Sequence, residues 1–570
     1  MKHIERCRIF IALILIVLAL AGCGGNGKET GKPAAGEEKT QKKADQNQMN
    51  PQPRDNVQQG GKLVWPIDTT IANFNYGQID GTIQDGAFII FAVMPMIFKF
   101  DASATPTYNP DYLTEEPKLV TSPKQVVTYE LNPKAIWYDG TPITAADYIA
   151  EWKASNGTNH AYQISSSSGA DQIESVTQGT NKFEVVVTFK KPYADWKALF
   201  WPLYPASTNN DPKIFNTGWK NTFLTSGGPF KFQGYDATAK IYTLVPNEKW
   251  WGNKPKLDSI VFRLIDLDAQ PTALASGEID MMEIGPSIDY YNKAKAIPGV
   301  DIRVAGGPNF RHLTMNSESE ILKDVRVRQA LAMAIDRNAI AKAELGPLPV
   351  VPTSLGNHIF MQNQAGYQDN SAVVAYNPEK AKQMLDAAGW VVQNGKRMKD
   401  GKPLVVRLVI PAATAVSRSE GELIQNMLAQ INVDLNIDTV PGDGFFEKYV
   451  TPGRFDFTLF SWMGTQFPVG SAQSIYTKPV GNKIQQNYAR VGSDELDQAY
   501  RDAIAELDPA KALEKANKVD KMIWAEVHSL ASYQRPDIWG VKSGLANIGA
   551  YGFASITYED IGWVKGTGGK

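Results

Sequence analysis

Both cysteines of this 570-residue chain, Cys7 and Cys23, lie within its first 23 residues. Everything after them must fold without a disulfide, a thiolate metal site or a cysteine nucleophile. A body of this length then rests on apolar burial alone, organised as two to four compact units. With 43% hydrophobic and 21% charged residues, the composition is that of a folded, water-soluble protein and excludes wholesale disorder. The 58 basic residues nearly balance the 60 acidic ones, so the chain lacks the electrostatic footprint of a duplex nucleic-acid binder.

The N-terminus reads as a targeting device. Lys2, Arg6 and Arg8 precede an unbroken apolar run from Ile9 to Ala21. That run is too short to span a bilayer core of roughly 30 Å and has the length of a signal-peptide core. It ends in Leu20-Ala21-Gly22-Cys23, which resembles the lipobox of bacterial lipoproteins. The resemblance implies that Cys23 becomes the first mature residue and carries the lipid. An ordinary secretory signal beside a chance cysteine is the alternative. Residues 24–60 contain no Trp, Tyr, Phe, Ile or Leu and offer little to offset the entropy of ordering. Residues 23–60 are therefore expected to form a disordered tether, with folded sequence starting near Lys62.

Strands and helices interleave through the body. Val126–Leu131, Phe183–Phe189 and Ile260–Ile265 are β-branched and aromatic, as strands require. Thr144 and Asp147 form a variant capping box ahead of a helix that places Tyr148 and Trp152 on one face. Asn377-Pro378 starts a second helix, which Gly389 ends. Residues 404–410 and 455–462 are strand-like around a helix near 420–431, and two helices after Ser493 break at Asp508-Pro509. The pattern predicts α/β lobes.

Catalytic signatures are sparse. The five histidines, His3, His160, His312, His358 and His528, are scattered, without the paired spacing of a zinc site. There is no Gly-x-Ser-x-Gly elbow and no phosphate-binding Gly-x-x-x-x-Gly-Lys-Ser/Thr loop. The chain is expected to have no catalytic residues, no metal site and no cofactor.

Several blocks occur in a telling order: Trp137-Tyr138-Asp139-Gly140-Thr141-Pro142, Gly228-Pro229-Phe230, Asn247–Pro255 with Trp250-Trp251, Ser276-Gly277-Glu278-Ile279-Asp280, Asp324–Ala330 with Ile335-Asp336-Arg337, and Tyr376–Ala381. Together they resemble the family 5 solute-binding proteins of bacterial ABC importers, of the oligopeptide- and dipeptide-binding type, over roughly residues 62 to 560. The blocks themselves have structural jobs in turns, helix starts and packing, so they mark the fold rather than a ligand.

The resemblance implies a two-lobed α/β periplasmic-binding-protein fold (type II, large, with an extra subdomain in lobe I) that closes on a ligand between its lobes. Lobe I would run over 61–305, with the subdomain at about 85–205, and return over 530–570. Lobe II would fill 306–529. The crossings fall near Val304–Asn316 and Ser529–Arg535.

It also implies ligand contacts. Gln78–Thr82, with Asp80, Gly81 and Thr82, resembles the segment that pairs with a peptide main chain, as a β-strand addition does. Ile284, Gly285 and Tyr533 match other lining positions. Phe460–Pro468 resembles the family segment Gly-Trp-x-x-Asp, whose Asp meets the peptide α-amine. Here Trp462 is followed by Met463, Gly464 and then Thr465 in place of that Asp. A neutral Thr cannot supply a charge-assisted bond of roughly 1.5–3 kcal/mol. The amine is then met elsewhere, with Asp80 one option, or the ligand has no free amine.

The expected function is a lipid-anchored receptor on the outer face of a bacterial plasma membrane. It would bind peptides or peptide-like solutes as a monomer and deliver them to ABC importer permease subunits. An oligosaccharide receptor, a signalling lipoprotein on the same fold and a secreted glycosidase are the alternatives.

Overall fold

The computed structural model describes residues 47–567 except Ala413 and Asn482. The signal peptide, Cys23 and most of the expected tether lie outside the described residues.

Strand Lys62–Ile67 runs parallel to Ser259–Leu264, which continues antiparallel through Ile241–Pro246 and Phe230–Asp236. Along Ile241–Pro246 burial alternates, so Tyr242 and Leu244 face the core as a half-buried strand dictates. A second four-stranded antiparallel sheet is built from Lys118–Val120, Val126–Glu130, Glu184–Phe189 and Ile173–Gln178. It lies within the stretch expected to form the extra subdomain. Helix Ala145–Ser155 packs on it, opened by the expected capping box: Thr144 and Asp147 satisfy each other's backbone N–H groups. The core of this sheet, with Tyr129, Val187 and Phe189, is continuous with Trp65, Phe88 and Phe262 of the first sheet.

The third sheet has six strands in the order Met281–Glu283, Ser529–Lys542, Val300–Met315, Phe457–Met463, Val405–Pro411 and Asp434–Val440. Its two long strands, Val300–Met315 and Ser529–Lys542, run over the stretches where the crossings between lobes are expected. They pair antiparallel from Val300 opposite Lys542 to Thr314 opposite Ser529. One end of the ribbon pairs with Met281–Glu283 and the other with Phe457–Met463. The ladder is interrupted between Gly306 and Phe310, over Gly307-Pro308-Asn309. Pro308 has no N–H to donate, and a side chain at Gly307 would meet the Arg535 carbonyl 2.4 Å away. This interruption puts an irregular crossing between two regular sheet ends. Helices Ala415–Ala429, Asp494–Ile504 and Pro509–Glu526 lie within the stretch expected to form lobe II.

The body begins earlier than Lys62, which corrects the expected end of the tether. Gln48 bonds the backbone at Val304 and Ala550, and Asn50 and Asn547 anchor each other's segments. Arg54 forms an ion pair with Asp560, and Val57 is fully buried in a bridge to Val564. Composition misled here because backbone and amide hydrogen bonds, with one buried valine, hold a segment that has no Trp, Tyr, Phe, Ile or Leu.

Candidate functional site

A cavity of about 380 Å³ lies between residues of the stretches expected to form lobe I and lobe II, within the size range of small-ligand sites. Tyr76, Phe88, Phe91 and Trp201 supply much of its apolar wall. Pro308 comes from the crossing, and Met463, Gly464, Thr465 and Gln466 come from lobe II.

The lobe I rim is a loop cinched by its own amides. Asn73 Oδ1 accepts the N–H of Asn75, Asn75 Oδ1 that of Gly77, and Gln78 Oε1 that of Asp80. Thr82 Oγ1 donates to the Tyr76 carbonyl at 2.7 Å. Gly81 is pressed so closely on the Asn75 carbonyl that a Cβ would lie 2.0 Å from its oxygen. Any side chain there would push the rim apart. On the lobe II side, the Gly464 N–H donates to the Pro308 carbonyl at 2.7 Å, tying the strand end to the crossing.

Charge gathers at one part of the wall. Lys99 Nζ stands 3.8 Å from Asp111 and 3.9 Å from Glu559, and all three line the cavity. Burial raises the Glu559 carboxyl above its ordinary range, with Lys99 opposing the shift.

The expected site residues divide. Thr82, Met463, Gly464 and Thr465 line the main cavity. Gly285 lines a small adjoining one of about 50 Å³. Gly81 supports the rim from behind. Asp80 is solvent-exposed, its carboxylate near the Gln78 amide, and is not among the lining residues. Ile284 is buried core. The half-buried Trp462 ring lies parallel to those of His312 and Tyr488, 5.8 and 5.7 Å away, and is not among the residues lining the main cavity. Tyr533 was expected to face the cleft but is buried, its hydroxyl donating to Glu420 at 2.7 Å. Arg535, two residues on and on the same face by strand alternation, falls in the interruption of the ladder between Gln534 and Pro536 and lines the small cavity. Thr465 Oγ1 engages Ser471 Oγ at 2.8 Å. Sequence reasoning missed Tyr76, Phe91, Trp201 and the Lys99 group, whose only signal was aromatic density.

The lobes touch across the mouth. The Gly470 N–H donates to Asp195 Oδ2 at 2.9 Å, the Ala194 N–H to the Ile504 carbonyl at 2.8 Å, and Asn363 Nδ2 to the Ala102 carbonyl at 3.1 Å. The Phe100 and Phe467 rings meet at 5.6 Å. Burial lifts the Asp195 carboxyl to about 6, and its bond from Gly470 only partly opposes that. An opened mouth would return it to about 3.9, so closure takes up a proton and becomes more favourable as pH falls through 6. We expect affinity for an uncharged-side-chain ligand to rise severalfold from pH 7 to pH 5, and this gain to shrink in Asp195→Asn. Titration calorimetry at both pH values checks it; an identical pH profile in the variant removes Asp195 from closure.

Comparison with known proteins accounts for this architecture. Residues 108–483 match the model of the bacterial extracellular solute-binding proteins, family 5 (middle). The oligopeptide-binding protein OppA of Mycobacterium tuberculosis (strain H37Rv) is 39% identical over 97% of this chain and 93% of its own length. The chain belongs to family 5 of the extracellular solute-binding proteins. Among solved structures, the periplasmic EDTA-binding protein EppA superposes with a TM-score of 0.81 at 26% identity, covering 91% of this chain and 98% of EppA. The oligopeptide-binding protein AppA of Bacillus subtilis, in complex with a nonapeptide, shares the fold with a TM-score of 0.69 at 20% identity, covering 89% of this chain and all of AppA. Family 5 proteins are two-lobed binding proteins, and this one is a solute-binding protein of the extracellular class.

Proposed function

We propose that this family 5 protein captures peptides in the inter-lobe cavity and passes them to the permease of an ABC importer. The observation that carries the reading is the end-to-end similarity to a protein named for oligopeptide binding. The cavity is consistent with it: apolar walls accept varied side chains, while Lys99, Asp111 and Glu559 offer both charges to peptide termini. Ligand would bind the open form and favour closure by touching both lobes at once. The Leu20–Cys23 motif supports a lipid anchor on Cys23, which would hold the receptor at the outer face of the membrane.

The test is native mass spectrometry of the soluble body, followed by thermal denaturation against peptide and oligosaccharide panels. A peptide at 100 times its dissociation constant should add about 2.7 kcal/mol of stability. Co-purified peptides, or stabilisation by peptides and not by sugars, is the expected result. Stabilisation by oligosaccharides alone would overturn the reading and make Thr465 the mark of a changed ligand class.

A further inference from the structure

Next to the main cavity lies a second one of about 200 Å³, and Ile83, Gln84 and Phe88 line both. The charged side chains that line it, Asp68, Asp85 and Glu283, are all carboxylates. Asp68 follows strand Lys62–Ile67, Asp85 sits in the first turn of helix Gln84–Val93, and Glu283 ends strand Met281–Glu283. Asp85 Oδ2 takes the N–H groups of Asp68 and Thr69 at 2.9 and 2.8 Å, which fixes it beside the Asp68 carboxylate. Glu283 has no hydrogen-bond or ion-pair partner among the described residues. Gln270 contributes an independent sign. It is 3% exposed, its amide nitrogen donates to the Ile265 carbonyl, and its Oε1 is buried without a donor. A buried acceptor left unpaired costs about 1–3 kcal/mol unless something donates to it.

The electrostatics agree. Desolvation by the surrounding protein and the neighbouring carboxylates of Asp537, Asp85 and Asp68 push Glu283 up to about 7, with Arg535 opposing them, although the side chain is solvent-exposed. Burial likewise lifts Asp85 and Asp537 to about 6. Arg535 is the one basic side chain lining this cavity or the small one beside it, which shares Gln84 and Glu283 with it. Four carboxylates thus face a single guanidinium, and the surplus is negative. The remaining wall is apolar, with Ile83 and Leu267, the latter 43% exposed. Apolar wall plus carboxylate end suits an aliphatic stem that carries a charged head.

We propose that this side cavity is a specificity subsite for a lysine or arginine side chain of the bound peptide. The inference rests on the peptide reading. The long stem lies along Ile83 and Leu267, and the cationic head meets Glu283, Asp85 and the Gln270 carbonyl.

The test uses the folded body and alanine-based pentapeptides carrying one Lys, Arg or norleucine at each position, with free or acetylated N-termini. At one position, Lys or Arg should bind about tenfold tighter than norleucine, and acetylation should leave that ratio in place. Glu283→Gln should bring the ratio within about twofold while keeping or raising the melting temperature, since it removes a charge that its surroundings disfavour. Asp85→Asn provides a second variant. Peptide binding without any cation preference overturns the subsite and leaves the peptide reading standing. So does a preference that survives both variants, or one abolished by acetylation, which would assign the carboxylates to the α-amine. Failure of every pentapeptide to bind overturns the peptide reading, and the subsite with it.

Discussion

Glu420→Ala should lower stability by about 3–5 kcal/mol, the cost of leaving a buried charge without its partner. Arg311 is 5% exposed and Glu420 1%. Arg311 Nε reaches the Glu420 oxygens at 3.1 and 3.2 Å, its Nη2 forms a closer ion pair with Oε2, and Ser417 Oγ accepts from Nη2 at 3.0 Å. Tyr533 donates to the same carboxylate. The group joins both crossing strands, through Arg311 and Tyr533, to lobe II helix Ala415–Ala429. Removing Glu420 strands the guanidinium in a place water does not reach and frees the Tyr533 hydroxyl. Chemical denaturation measures the loss. The double variant Arg311→Met/Glu420→Leu should recover a large part of it, because deleting both charges removes the desolvation cost as well as the attraction. A loss under about 1 kcal/mol in Glu420→Ala would mean that the pair contributes little to holding the crossing.

Cys23→Ser should abolish acyl attachment altogether. A thioether requires the sulfur, and no other cysteine follows in the chain. Stable anchoring takes more than one acyl chain, each buried methylene contributing about 0.8 kcal/mol, so attachment is close to all-or-none. In cells fed a labelled fatty acid, the wild-type protein should carry label and enter the detergent phase on phase separation, while Cys23→Ser carries none. Unlabelled wild-type protein would return the N-terminus to an ordinary secretory signal.

Local signals were legible wherever a short stretch settles its own structure. The Thr144/Asp147 box, the Asn377 cap with Pro378 and the break at Asp508-Pro509 all occur as their residue types require. So do strands Val126–Glu130 and Glu184–Phe189. Segments whose order depends on distant partners were not legible. Residues 47–60 carry the composition of a spacer, yet Val57, Arg54 and Gln48 find partners hundreds of positions away.

For the site the division is sharper. The sequence by itself determined the solute-binding family through ordered blocks, the absence of cysteine chemistry from the body, and a neutral Thr465 where the resemblance implies an Asp. Only the tertiary structure decided which face each side chain takes. Tyr533 turns to Glu420 while Arg535, on the same face two residues on, lines a cavity, because the ladder is interrupted at Arg535, which a motif does not record. Asp68, Asp85, Gln270 and Glu283 come from four separate elements. Their convergence is a long-range property of packing, and no spacing along the chain could encode it.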